Sequence, residues 1–324
     1  MAVTEDSRVV LLLCSRLGLP ASSEVKPLTL AEWNAVATKL AASGLGRPGG
    51  LLTCSAGRLQ TELEIAPEDA GRIMRLLDRG GALAIELERL ESRGVWIVTR
   101  ADDAYPRRLK DRLKARAPAV LFGAGDPRLL GKPGLAVVGS RDIDETLQAF
   151  AAWIGAACVQ AGRVVYSGAA RGVDKLAMGA ALDSGGQAVG VVAESLERAI
   201  RTSDAREALQ RGDLALISDY GPDSPFSVGV AMGRNKLIYA LADFAIVVAS
   251  GSREGGTWAG AVEALKHGWV PVFVLNRDGV PDGNASLVQE GAIPFVEPFP
   301  EPQELWRWMT EQSAVPVPAQ GTLF

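Results

Sequence analysis

Six short, near-continuous apolar runs constrain the fold more than any other feature. They span residues 135–138, 164–166, 188–192, 214–217, 245–249 and 270–275. Runs of that length and character are strands covered on both faces. Helical stretches lie between them, at 144–161, 173–184, 204–211, 231–241 and 257–267. Strands alternating with helices of this length predict an α/β fold: a Rossmann-like, doubly wound, mostly parallel sheet over residues 134–276.

The chain ahead of this region reads differently. Residues 28–40 and 66–77 place apolar side chains at i, i+3 and i+4, the period of amphipathic helices. Thr29, followed three residues later by Glu32, predicts a capping box. The Gly- and Pro-bearing stretch 44–50 separates two helical halves. A small all-helical domain is therefore expected over residues 1–93. A Rossmann-like domain is expected over 94–298, with an entry segment at 94–133. That segment holds short strands at 95–98 and 120–123 around a basic helix at 105–117. A C-terminal helix, 303–311, and a Pro-rich tail make up the expected third part, 299–324.

Bulk properties exclude several classes. The chain has 324 residues, 48% hydrophobic and 22% charged, which is ordinary globular composition. There is no 18-residue apolar run to span a membrane. Glu5 and Asp6 precede the short apolar stretch near the start, which is not the pattern of a signal peptide. Cys14, Cys54 and Cys158 are odd in number and far apart, so neither a disulfide framework nor a Cys knuckle is expected, and the natural compartment is a reducing cytoplasm. One histidine, His267, rules out multi-histidine zinc sites, so no metal is expected. It stands just before Gly268, where a last-turn histidine suits the helix dipole. The net charge is −4. Any polyanion would have to meet a local basic surface rather than a basic whole.

Three strand ends carry glycine beside Ser, Thr or Arg. The first is Gly139-Ser140-Arg141. The second runs from Ser167 and Gly168 through Arg171 and Gly172 to Asp174. The third runs from Ser250 through Arg253 to Gly255, Gly256 and Thr257, which opens a helix. In a doubly wound sheet, ligands sit outside the carboxyl ends of the strands. Glycines let backbone N–H groups approach an anion, and the following helix N-terminus adds partial positive charge. Arginines add bidentate donors. A tight turn accounts equally well for any one of these loops; three on one rim favour a phosphate-binding site. Arg234, Asn235 and Lys236, read as lying at or near a helix start, add backbone-neutralising charge and an amide for a phosphate or base edge. A solvated helix face is the plainer reading of that run.

Two motifs mislead. Gly44, Gly46 and Gly49 match a dinucleotide-binding spacing, but they follow a helix and enclose Pro48. No P-loop sequence is present, which argues against nucleotide hydrolysis of that kind.

In order along the chain, Ala104-Tyr105-Pro106-Arg107-Arg108-Leu109, residues 118–126, Val138-Gly139-Ser140-Arg141, Ser167 to Asp174, Gly233-Arg234-Asn235-Lys236 and Gly255-Gly256-Thr257 resemble the DNA-processing protein A family (DprA, also called Smf). That family lies within the SLOG group of Rossmann-like nucleotide-binding domains. The resemblance covers about residues 95–276. It implies a non-catalytic protein without cofactor that binds incoming single-stranded DNA and loads the RecA recombinase during natural transformation, usually as a homodimer. It also implies that the pocket around Arg141, Ser167, Gly168, Arg234 and Asn235 takes a nucleotide of the strand.

The chain departs from the family pattern in places. Met178 stands where a histidine is usual, residues 194–201 replace a Tyr-Pro loop, Gly255-Gly256-Thr257 replaces a serine-rich helix start, and no winged-helix domain is expected after residue 299. Two rival readings share the fold. One is a phosphoribohydrolase, which resembles this chain at Gly255-Gly256-Thr257 but uses a glutamate three residues after the threonine, where Gly260 stands here. The other is a sensor of small nucleotides, including one in phage defence. Finally, Gln320, Leu323 and Phe324 resemble a peptide that docks on bacterial sliding clamps, two apolar anchors on a flexible tail.

Overall fold

A computed structural model describes residues 3–314. The tail residues Gln320, Leu323 and Phe324 lie outside the described residues. The chain separates into two compact units. One is Met1–Ala124 with Ser218–Ser224; the other is Gly125–Ile217 with the chain from Pro225 onward. The division falls at Gly125, not at residue 94. No helix among the described residues is long and apolar enough to cross a membrane.

The first unit holds helices α1 (Glu5–Cys14), α2 (Leu30–Ala42), α3 (Ala56–Glu62), α4 (Pro67–Leu77) and α5 (Gly80–Ser92). Strand β1 (Val95–Thr99), helix α6 (Arg107–Leu113) and strand β2 (Val120–Gly125) follow. The capping box at the start of α2 forms as its spacing requires: Thr29 accepts from the Glu32 N–H, and Glu32 accepts from the Thr29 N–H. β1 and β2 pair antiparallel, Ile97 opposite Phe122. The basic helix is shorter than its sequence implies. It stops at Leu113, where Lys114 takes φ +51° and a 3-10 turn, Lys114–Arg116, replaces the last α turn.

The second unit contains β3 (Gly134–Val138), α7 (Glu145–Gln160), β4 (Val164–Ser167), α8 (Val173–Asp183), β5 (Ala188–Val191), α9 (Leu196–Ala199), α10 (Ser203–Arg211) and β6 (Leu214–Ser218). It continues with α11 (Val228–Leu241), β7 (Phe244–Val247), α12 (Gly255–His267), β8 (Val272–Leu275), α13 (Asp282–Gln289), β9 (Ile293–Phe295) and α14 (Leu305–Ala314). The strands lie in the order β6-β5-β4-β3-β7-β8-β9. Every adjacent pair in that run is parallel. This is the doubly wound sheet that the apolar runs predict. β3 to β6 step one way from the centre, and β7 to β9 step the other.

β8 starts two residues later than the apolar run at 270, because Pro271 has no N–H for a ladder. α12 ends at His267 with Gly268 in the left-handed conformation, as the capping preference requires. α13 and β9, which no periodicity marks in the sequence, complete the β7 side of the sheet. α14 packs aromatic rings over that side: Trp306 lies 4.9 Å from Phe244, and Trp308 lies 5.1 Å from Phe295.

The topology locates a site before any side chain is considered. β3 and β7 are neighbours, yet the loops that leave them run to opposite halves of the sheet. A crevice must open at their carboxyl ends.

Candidate functional site

A cleft of about 870 Å³ occupies that crevice. Gly139, Ser140, Arg141 and Asp142, after β3, form one wall. Residues of the loop after β7, from Gly251 to Thr257, form another. α11 supplies Val228, Met232, Asn235 and Tyr239, with Phe226 just ahead of it.

Close packing of backbone explains the glycines. A Cβ at Gly139 would sit 2.5 Å from Val173 Cγ2. Gly172 has φ +86°, and a Cβ there would lie 2.5 Å from the Ser140 and Arg141 carbonyls. These two glycines let the second loop nest beneath the first. Ser140 ties the first loop to β7: its N–H donates to the Ala249 carbonyl at 2.9 Å, and its Oγ donates to the same oxygen at 3.1 Å.

A buried polar cluster underlies the cleft. Asp174, in the first turn of α8, accepts from the Gly168 N–H at 3.1 Å. Arg234 donates through Nη2 to the Gly168 carbonyl at 3.0 Å, so the two side chains grip both polar groups of one glycine's backbone. A Cβ on Gly168 would lie 2.1 Å from the Arg234 guanidinium. Burial pushes the Asp174 carboxyl up to about 6, opposed by the charge of Arg234 and by N–H donors of Ala170 and Gly168. Tyr239, beside this pair, has its phenol pushed up by burial and by the Asp174 charge. Its hydroxyl is buried with no hydrogen-bond partner among the described residues. Replacing Tyr239 by Phe is therefore expected to cost no stability and to relieve roughly 1 kcal/mol. A calorimetric midpoint at or above that of the parent protein checks this.

Several residues singled out in the sequence lie elsewhere than expected. Arg234, Asn235 and Lys236 do not open a helix. α11 begins at Val228, capped by Ser227, and they lie in its middle. Arg234 is buried rather than solvated. Asn235 donates to the Gly256 carbonyl at 2.9 Å, which joins α11 to the start of α12. Lys236 is half-buried and does not line the cleft. Ser167 is fully buried and donates to the Val137 carbonyl at 2.7 Å, so it braces the strand ends. Gly168 and Gly172 shape the loops from behind the wall. Arg171 is exposed and does not itself line the cleft, but it pairs at 2.7 Å with Asp142, which does. Arg141, Arg253, Gly255, Gly256 and Thr257 do line it.

Asn284 on α13 is a supporting residue that sequence reasoning missed. It is fully buried and accepts from the Ser250 N–H at 2.9 Å. It donates to the carbonyls of Val248 and Leu275 at 3.0 and 2.7 Å. It thus sews the β7 loop to β8. Asn284→Ala leaves these backbone groups buried without partners, an expected loss of about 2–3 kcal/mol. Chemical denaturation reads this as a lower midpoint.

The arrangement can hold an extended anion. Exposed Arg141 and Arg253 and glycine-rich backbone line the cleft, together with the carboxylates of Asp142 and Glu254. Among the described residues, no group of three or more His, Cys, Asp or Glu side chains is placed to hold a metal ion.

Comparison with known proteins agrees with this fold. A family model for the DNA recombination-mediator protein A matches residues 96–300. The chain is 30% identical over 207 residues to the DNA processing protein DprA of Streptococcus pneumoniae, covering 59% of this chain and 67% of that protein. It spans about half to two-thirds of the length of the curated relatives it matches. The crystal structure of the Streptococcus pneumoniae protein superposes with a TM-score of 0.67 at 22% identity, covering 91% of this chain and 95% of that one. A structure of DNA processing protein A from Helicobacter pylori, described by its single-stranded DNA binding mode, superposes with a TM-score of 0.53 at 25% identity, covering 67% of this chain and 96% of that one. With a family match over most of its length and the doubly wound core to carry it, the chain belongs to the DNA recombination-mediator protein A family.

Proposed function

We propose that the chain binds single-stranded DNA in the cleft at the β3–β7 crossover and does so without chemical turnover. The observation that carries this reading is the joining of strand-end loops around one cleft, with Arg141 and Arg253 exposed on its walls. Backbone N–H groups and guanidinium groups position phosphates without reading sequence. The net charge of −4 is no obstacle when the cations are local. The Helicobacter pylori relative, described by its single-stranded DNA binding, supports the choice of ligand.

The rival hydrolytic reading finds little room here. The helix position three residues after Thr257 is Gly260, and a Cβ there would lie 3.2 Å from Asn235 and from the Tyr239 ring. A glutamate at that place would displace the packing between α11 and α12. Incubation with nucleoside monophosphates is expected to release no free base; catalytic release detected by chromatography would replace this reading with the enzymatic one.

The reading extends to recombination and natural transformation in the cytoplasm, with RecA loading and a homodimer as its further parts. These rest on family membership. Light scattering of the free protein and RecA capture on protein-coated strands test them separately from strand binding. Contact with a sliding clamp through Gln320, Leu323 and Phe324 is tested by deleting the last two residues; unchanged clamp binding would remove it.

A further inference from the structure

Half of the strongly exposed large apolar side chains among the described residues fall within seven positions. Phe226 is 50% exposed, Val228 67% and Met232 45%. All three line the cleft. Exposed apolar side chains clustered on a cleft wall mark an interaction surface. Phe226 also meets the cationic wall: the Arg141 guanidinium lies over its ring, 5.6 Å from the centroid. A half-exposed ring with a cation over one face matches a repeating unit with a flat apolar face and an attached anion. A nucleobase and its phosphate have that form.

We infer that Phe226, with Val228 and Met232 beside it, is a stacking shelf for a nucleobase of the strand whose phosphates Arg141 meets. This rests on the reading of the cleft as a strand-binding site and adds to it the contact with the base. Stacking on a phenyl ring tolerates every base, since each has a π face, so the shelf contributes affinity without sequence preference. The sequence carries no periodic signal for it. Phe226 stands in a short polar loop, between Pro225 and Ser227, ahead of α11.

The test compares two oligonucleotides of equal length, oligo-dT and its fully abasic counterpart, which share phosphates and differ in bases. Fluorescence anisotropy of the full chain measures both. Wild-type protein is expected to prefer oligo-dT, and Phe226→Ala to reduce that preference by about 5- to 100-fold. The salt dependence of oligo-dT binding should not change, because no charge is removed. Phe226→Trp should keep the preference and show quenching of the new indole on binding. Because Phe226 is half exposed, the alanine variant should melt with the parent. An unchanged preference in Phe226→Ala overturns the shelf even while Arg141→Ala still weakens binding. Loss of self-association instead of strand affinity, read by sedimentation, also overturns it and gives the patch to a second copy. If wild-type protein binds neither oligonucleotide, the strand-binding reading falls and the shelf with it.

Discussion

Asp174→Ala is expected to destabilise the second unit by about 3–5 kcal/mol, the largest effect of any single substitution in the cleft. The reason is what the carboxylate leaves behind. Arg234 is buried, and its charge is compensated within the cluster by Asp174. The Gly168 N–H, itself buried, loses its acceptor. A cation and an amide stranded away from water cost more than the carboxylate's own burial. Equilibrium denaturation at neutral pH gives the loss directly.

The same residue gives the protein a pH signature whose sign is determinate. The Asp174 carboxyl is raised from 3.8 to about 6 on folding. The folded state therefore holds this proton more tightly than the unfolded chain. The stabilisation linked to that proton is fully present below about pH 3.8 and is lost as pH rises through about 6. By pH 7 the difference amounts to roughly 3 kcal/mol. Other carboxylates titrate in the same range, so the comparison is with Asp174→Asn, which cannot ionise. Relative to that variant, the parent should lose stability between pH 4 and pH 7. A difference that stays flat across this range would mean that Asp174 is not the buried acid described.

The second large effect concerns binding. Arg141 and Arg253 are the exposed cations that line the cleft walls. Removing both is expected to weaken oligo-dT binding by at least about a hundredfold at moderate salt, since hydrogen bonds to charged groups contribute about 1.5–3 kcal/mol each. The slope of log affinity against log salt should become shallower by about 1.4, or roughly 0.7 for each phosphate of a single strand that is no longer neutralised. Both side chains are exposed, so the melting temperature should not move. Arg171→Ala is the internal comparison. Arg171 is equally charged and exposed, but it does not line the cleft and its charge is paired with Asp142, so its removal should matter much less.

The sheet is legible in the sequence because each of its strands up to β8 is an apolar run long enough to be buried on both faces. The glycine loops are legible for a related reason: Gly139, Gly168 and Gly172 stand where another residue's atoms already are, and only glycine fits. What the sequence conceals is the division of labour among the charged residues. Arg234, Asn235 and Lys236 look like one solvated run. Yet residues 234, 237, 238 and 241 fall at i, i+3, i+4 and i+7, an apolar stripe that puts Arg234 inside while its neighbours stay at the margin. The stripe is readable, but three adjacent polar side chains mask it.

Asn284 and Phe226 leave no such trace. A buried amide that joins β7 to β8 is chosen by tertiary contacts, and residues 282–289 carry too few apolar positions to mark a helix. An exposed ring in a polar loop has no period at all. The boundary between units is concealed as well. Residues 94–124 read as an approach to the sheet because they contain strands, whereas their hairpin and helix belong with α1 to α5.

On the proposed reading, the cleft holds a single strand by its backbone and bases together. The decisive titration sets the full chain against single-stranded oligo-dT, a duplex of equal length and nucleoside monophosphates, each at low and moderate salt. Tight, salt-sensitive binding of the single strand, weaker binding of the duplex and weakest binding of the monophosphates is the predicted order. Monophosphates bound more tightly than the strand, or a strand affinity indifferent to salt, would contradict it.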